Sequence, residues 1–493
     1  MKFFQKRHSA IKRHLDTTDK MQYAFLVMFS GLSLWTIYLA LKTDGYTLSA
    51  SLLGKGLYTD HFMDFLNSVR DNCQANAYSS RCSIYPPLAV LFFRFIGLFI
   101  DYDTISSVFK LRKYSYYDQR IVLIFIIFII LCLFLINRLL SAKLYDRNAR
   151  IRTNLLVFVL MFSYPVIYSL DRGNIVILCV VTSMFFVFFR DSESKVVREL
   201  AYISLAISAA LKLYPAVFGL LLIRDKKFKD AARLILYGIA FVVVPMLLVH
   251  LGDIIMLKNM SEEELAIAAK SAVTASSYGM KNPETVAYAA THIESLWDML
   301  KSIWNNLMRF SESKSTDISF SKLGIENIFK IPLVADYLGD TENRLPMLSF
   351  IISEAVALVL FFTADKDWKR AYFLTYILLN LSTSSSMYAL TFLFIPFGLF
   401  IADHSKREIM DWVRLPLFTL LFAYLPMVYY NKLTEMIIFL KLHQLSTSIL
   451  GANNLLGFSL FQLLFLTLVI PEIVRLVVLG CRKIRRRKVA CPQ

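Results

Sequence analysis

Two carboxylates four residues apart open the chemistry of this chain: Asp60 and Asp64 in "YTDHFMDFLN", which share one face if the stretch is helical. A carboxylate held against apolar surroundings has its proton affinity raised toward the working range. It can then act as a general base toward a hydroxyl. The same spacing also suits a loop acid paired with an arginine. His61 lies between the two acids, but three such residues do not form a ligand set, and no metal or other cofactor is expected. Further along, "SYPVIYSLDRGNIVIL" sets Asp171, Arg172 and Asn174 in a turn around Gly173. A guanidinium there suits a phosphate and an amide suits a sugar hydroxyl or the backbone, while a plain helix-ending turn has the same composition. Lys212, in "LKLYPAVFG", is an ammonium among apolar residues; it needs an anion, for which a lipid-linked phosphate is a natural partner, or must snorkel to the interface. Hydroxyls crowd ahead of Tyr388 in "LSTSSSMYALTFLFIP", where hydrogen bonding between helices is the simplest role. Cys73 and Cys82 fall in one polar stretch, and in an oxidising compartment they would close a small ring next to Tyr85-Pro86-Pro87; two free thiols are the alternative.

The elements that must position these residues are membrane helices. The chain is 493 residues long, 57% hydrophobic and 14% aromatic, with a mean hydropathy of +0.54, which predicts an all-α polytopic membrane protein. Its net charge of +17 fits cytoplasmic loops rather than nucleic acid, which is not an expected partner. A basic tail (Lys2, Lys6, Arg7, Lys12, Arg13, Lys20) precedes the apolar run Met21 to Leu41 and keeps the N-terminus in the cytoplasm. If Ile84 to Ile100 crossed next, Lys143, Arg147, Arg150 and Arg152 would lie outside. The charge rule therefore lays that stretch on the outer face and makes Ile121 to Leu139 the second crossing.

Further runs bring the expectation to about 12 transmembrane helices with both termini cytoplasmic. They include Asn174 to Arg190, a broken hairpin around Lys212 (Leu200 to Leu211, Tyr214 to Ile223), Leu234 to His250, Met347 to Phe362, Tyr388 to Ala402 and Asn453 to Val477. With no internal repeat, 1–493 reads as one integral domain. Residues 1–250 carry the motifs and an outer loop at 42–120, residues 251–346 form a second outer loop, and 347–493 hold the last helices and a basic tail. Asn431 to Gly451 has the pattern of an interfacial helix.

The order of the pieces, an acidic "DF" after the first span, then "YPPL", "DRGN", "LK.YP" and a Ser-rich stretch before "Y.L..L.IP", resembles the GT-C glycosyltransferases. It is most similar to the bacterial glycosyltransferase family 87 type, over about Met21 to Phe228. The "RGN" turn also resembles that of the GPI mannosyltransferase I catalytic subunit.

The resemblance implies a GT-C fold in the inner membrane of a bacterium and an active site on the outer face. It implies a polyprenyl-phosphate-linked sugar as donor, a glycan, lipid or protein acceptor, and inversion at the anomeric carbon. It assigns Asp64, with Asp60 as the alternative, to the catalytic acid of the first loop, and Lys212 and Arg172 to the donor phosphate. Tyr85, Asn174, Tyr214 and Tyr388 fall to substrate binding. The first loop has no D-x-D, so no metal is carried over. A polymerase or ligase of lipid-linked glycans and a lipid or solute transporter share the architecture and are the rival readings.

Overall fold

The computed structural model describes residues 2–45, 48, 62–80, 83–99, 119–144, 150–276, 283–312, 323–329, 331, 334, 337–338, 344–381, 387–405, 407–423 and 449–489. Asp60, His61, Cys82, the serines before Met387 and the stretch 424–448 lie outside these. Among the described residues every regular element is helical.

Among the described residues, five helices are long and apolar enough to cross a bilayer: Lys20–Lys42, Arg120–Leu144, Phe228–Asn259, Arg344–Thr363 and Asn454–Leu479. A sixth follows if the bent pair Ile151–Met161 and Tyr164–Arg172 is one span. The rest of the expected dozen falls in shorter helices or reaches outside the described residues. The Val176–Phe189 helix has 14 residues, or about 21 Å of rise against a hydrocarbon core of about 30 Å. The break at Lys212 divides another apolar stretch into a helix of 17 residues and pieces of 6 and 5.

The Arg120–Leu144 helix shows why these long helices belong in lipid. Phe125, Ile129, Cys132 and Ile136 are buried on one side, while Leu123, Ile127, Ile130 and Phe134 are more than half exposed on the other. A helix apolar on its exposed face as well as its buried one is built for hydrocarbon.

The chain divides into two compact units. The first comprises Met1–Lys55, Leu140–Tyr168 and Thr316–Gln493, the second Gly56–Leu139 and Ser169–Ser315. Within the first, a charge network ties three helices. Lys369 Nζ meets Glu472 at 2.7 Å, Glu408 at 3.0 Å and Asp365 at 3.3 Å. Arg414 pairs with Asp411 at 2.8 Å and Glu408 at 3.2 Å and donates to the Thr467 carbonyl at 2.8 Å. Lys369, Asp411, Arg414 and Glu472 are all buried, so each charge depends on its partners.

In the second unit the Pro87–Gly97 helix has 11 residues, about 16 Å, too short to cross. Pro87 occupies its first turn, where no N–H is needed, and Pro86 precedes it in an extended conformation. It packs against the Met63–Asn72 and Phe228–Asn259 helices and carries the one cation of its apolar run, Arg94. Arg94 bonds Asp253 at 2.5 Å and donates to the carbonyls of Asn72 at 2.9 Å, Gln74 at 3.0 Å and Val249 at 3.1 Å. Asp253 also accepts from the Asn76 N–H at 3.0 Å. Asn76 Nδ2 in turn donates to Ala289 and His292, each at 2.7 Å, and Asn306 Nδ2 to Tyr78 at 2.7 Å and Ser83 at 3.0 Å. The polar stretch after Asn72 is thereby fastened to the end of a membrane helix.

Asp253→Ala leaves Arg94 buried beside carbonyls with its carboxylate gone. The expected loss is about 3–5 kcal/mol, typical of breaking a buried pair. Thermal unfolding of the detergent-solubilised protein measures it, and an unchanged midpoint would remove the pair from the stability of the fold.

Candidate active site

Asp64 sits in the first turn of the Met63–Asn72 helix. The residue before that helix, Phe62, takes a left-handed conformation (φ 56°, ψ 13°) and caps it without a side-chain bond. The neighbouring turn holds this strained entry in place, because the Phe62 N–H donates to the Asp171 carbonyl at 2.7 Å. Aromatic rings surround it: Phe62 and Phe65 pack on Phe125 at centroid distances of 5.0 and 4.9 Å.

The "DRGN" turn grips the acid from the other side. Arg172 Nη2 lies 2.7 Å from Asp64 Oδ1, and Asn174 Nδ2 donates to Oδ2 at 2.9 Å. Asn174 Oδ1 accepts the Val176 N–H at 3.0 Å, so one amide orders the start of the next helix and orients the carboxylate. Gly173 is needed twice. Its φ is +68°, and a Cβ there would come within 2.8 Å of Phe62 Cα and 2.9 Å of Phe62 O. Of the two sequence readings for Asp64, general base and loop acid paired with an arginine, the pairing is present. The oriented carboxylate keeps acceptor capacity, since two of its roughly four lone-pair positions are used. Arg172, expected on a phosphate, is here on Asp64.

The second group is built by a helix break. Lys195–Leu211 ends at Lys212, which is extended (φ −148°, ψ 128°). Pro215 follows, and it can neither donate to the Leu211 carbonyl nor continue the α-helix, so the chain tightens into a 3-10 turn over Tyr214–Gly219. Lys212 Nζ lies 5.5 Å from the Tyr85 ring centroid and 6.0 Å from that of Tyr214, both within cation–π range. Three expected residues, Lys212, Tyr85 and Tyr214, thus meet. Tyr85 packs edge-on against Phe93 at 5.3 Å.

Tyr388 belongs to the first unit. It is buried in a 3-10 turn, Met387–Leu393, and its ring stacks on Tyr168 at 6.4 Å and 13°.

The expected Cys73–Cys82 bridge is not what Cys73 makes. Its thiol is free and buried, points at the Phe93 carbonyl at 3.5 Å, and lies against Gly97, which has no Cβ to meet it. Cys82 is outside the described residues. Burial pushes the Cys73 thiol up to about 12, with Arg94 offsetting part of the effect.

Sequence reading passed over the Arg94–Asp253–Asn76 fastening. Its signal is an arginine inside an otherwise apolar "PLAVLFFRFIG".

Residues 84–256 match the sequence model of Glycosyltransferase family 87. The match bears out the family resemblance and implies a membrane glycosyltransferase. It contains Tyr85, Arg172, Asn174, Lys212 and Tyr214, while Asp64 and Tyr388 lie outside it. No curated protein and no solved structure matches the chain.

Two outcomes are expected. Gly173→Ala should cost about 1–2 kcal/mol for the left-handed backbone alone, and the contact with Phe62 adds to that; thermal unfolding and any sugar-transfer assay should both register it. At pH 8 Cys73 stays protonated and should resist a water-soluble maleimide until the protein is unfolded, as peptide mapping by mass spectrometry would show.

Proposed function

We propose that this membrane glycosyltransferase takes a sugar from a polyprenyl-phosphate-linked donor and attaches it, with inversion, to a hydroxyl of a glycan, lipid or protein acceptor. The observation that carries the reading is the Asp64 carboxylate, oriented by Arg172 and Asn174, in the same unit as the lysine clasped by Tyr85 and Tyr214. A base and a cation in one unit are the two charges that a displacement at an anomeric carbon requires.

The acceptor hydroxyl attacks the anomeric carbon as Asp64 takes its proton. The bond from that carbon to the phosphate oxygen breaks, and polyprenyl phosphate departs with the electron pair. Lys212 stabilises the charge that grows on the departing phosphate. Arg172 acts through Asp64, holding the carboxylate aimed. Asn174 fixes its second oxygen, and the aromatic faces of Tyr85 and Tyr214 border the sugar-phosphate. Tyr388 keeps its substrate-binding assignment from the family resemblance, as does Asp60 its place as the alternative base. The reading takes the bacterial inner membrane from the family resemblance and, from the positive-inside charges, cytoplasmic termini with this site on the outer face.

Purified protein incubated with a panel of polyprenyl-phosphate sugars tests the proposal through release of polyprenyl phosphate. Asp64→Asn should remain folded and lose about a hundred- to ten-thousand-fold in turnover, the usual worth of a general base. Near-normal turnover would take Asp64 out of that role. Lys212→Gln should raise the donor KM and lower kcat, whereas unchanged kinetics would make the lysine a snorkelling residue. Lengthening of a lipid-linked oligosaccharide, or solute uptake into proteoliposomes without transfer, would turn the assignment to the rival classes.

A further inference from the structure

Asn174 precedes the Val176–Phe189 helix and Lys212 closes the Lys195–Leu211 helix. The far ends of these helices, 14 and 17 residues long, are about 21–26 Å away along their axes. There, in the same unit, is a cavity of about 660 Å³ lined by Arg198, Lys226, Lys227, Lys229, Asp191 and Asp230, with Phe228 also on its wall. Its volume is in the range of small-molecule sites. The transfer reaction does not use it.

Three features indicate what it would hold. Four cations face two carboxylates, and both carboxylates are already engaged: Asp191 with Lys227 at 2.5 Å, Asp230 with Arg233 and with the Tyr202 hydroxyl at 3.0 Å. Lys226 and Lys229 are exposed, and among the described residues neither has an ion pair. Arg198 is held over the cavity by the Ser192 carbonyl at 3.2 Å. In addition, two helices begin at its wall. The Lys195–Leu211 helix places Arg198 in its second turn, and the Phe228–Asn259 helix starts after Lys227 with no side-chain cap, so positive helix ends add to the lysines. Lastly, Phe228 is 63% exposed and leads into an exposed apolar stripe on its own helix, Ile235, Leu236 and Ile239. A free phosphate would have no use for that stripe, whereas an acyl chain would.

We propose that this cavity binds the headgroup phosphate of an anionic phospholipid, whose chains lie along Phe228, Ile235 and Ile239. Basic pockets at the cytoplasmic ends of membrane helices are suited to such headgroups. On the orientation expected from the charges, in which the Val176–Phe189 and Lys195–Leu211 helices cross as short spans, this is the inner leaflet, opposite the site of Asp64. The binding is separate from sugar transfer and stands whether or not Asp64 is the base.

The test uses the full-length protein in detergent and a phosphatidylglycerol labelled with a fluorophore on one acyl chain, followed by anisotropy. Saturable binding is expected, displaced by unlabelled phosphatidylglycerol but not by phosphatidylcholine or inorganic phosphate at the same concentration. Each lysine removed should weaken binding about fivefold, so the Lys226→Gln/Lys229→Gln double variant should lose roughly 25-fold. Both side chains are exposed, and circular dichroism checks that the variant folds. Phe228→Ser should weaken binding while leaving its salt dependence unchanged. Equal binding by wild type and the double variant would overturn the proposal. Equal displacement by phosphatidylcholine would overturn the anionic headgroup, and displacement by inorganic phosphate would overturn the lipid.

Discussion

The grip of Arg172 and Asn174 on Asp64 is the constraint on which the rest of the second unit turns. It joins residues 108 and 110 positions apart in sequence, and both backbones are bent to permit it. Phe62 accepts a left-handed conformation and the 171–174 turn gives up a side chain at Gly173. Their one backbone hydrogen bond, from the Phe62 N–H to Asp171, closes the interlock. Strain of this kind persists only where the surroundings over-determine it. The rings of Phe65, Phe93 and Phe125 on one side and the Arg94–Asp253 fastening on the other provide that support.

Several parts of this arrangement were legible in the sequence because a residue type left few options. Glycine after an arginine between two apolar runs indicated a turn, and the Lys212–Pro215 stretch indicated a break in the helix. A lysine amid apolar residues demanded a partner. The identity of the partners was not legible. Arg172 suits a phosphate as well as a carboxylate, and only the fold shows that Asp64 is within reach. Arg94 and Asp253 are separated by 159 residues, and no local pattern announces such a pair. The number of crossings is legible only in part for a different reason: hydropathy responds to composition, and an apolar helix such as Val176–Phe189 has the composition of a span at less than its usual length.

Buried charge is used differently in the two units. In the second, Asp64 and Lys212 are clasped yet only partly covered. In the first, Lys369, Asp411, Arg414 and Glu472 are closed off and satisfy one another. Replacing one member of such a set leaves the others desolvated and unpaired, so the set specifies an arrangement more than it adds stability.

That closed set also has a consequence in time. Glu472 is 103 residues downstream of Lys369, so at about 5–20 residues per second the ribosome delivers the carboxylate roughly 5–20 s after the ammonium. Until then the Asp367–Leu381 helix, whose first turn carries Lys369, lacks its most deeply buried counter-charge. The helices between must wait in a loosely assembled state, and the arrival of the last helix sets when the first unit can close.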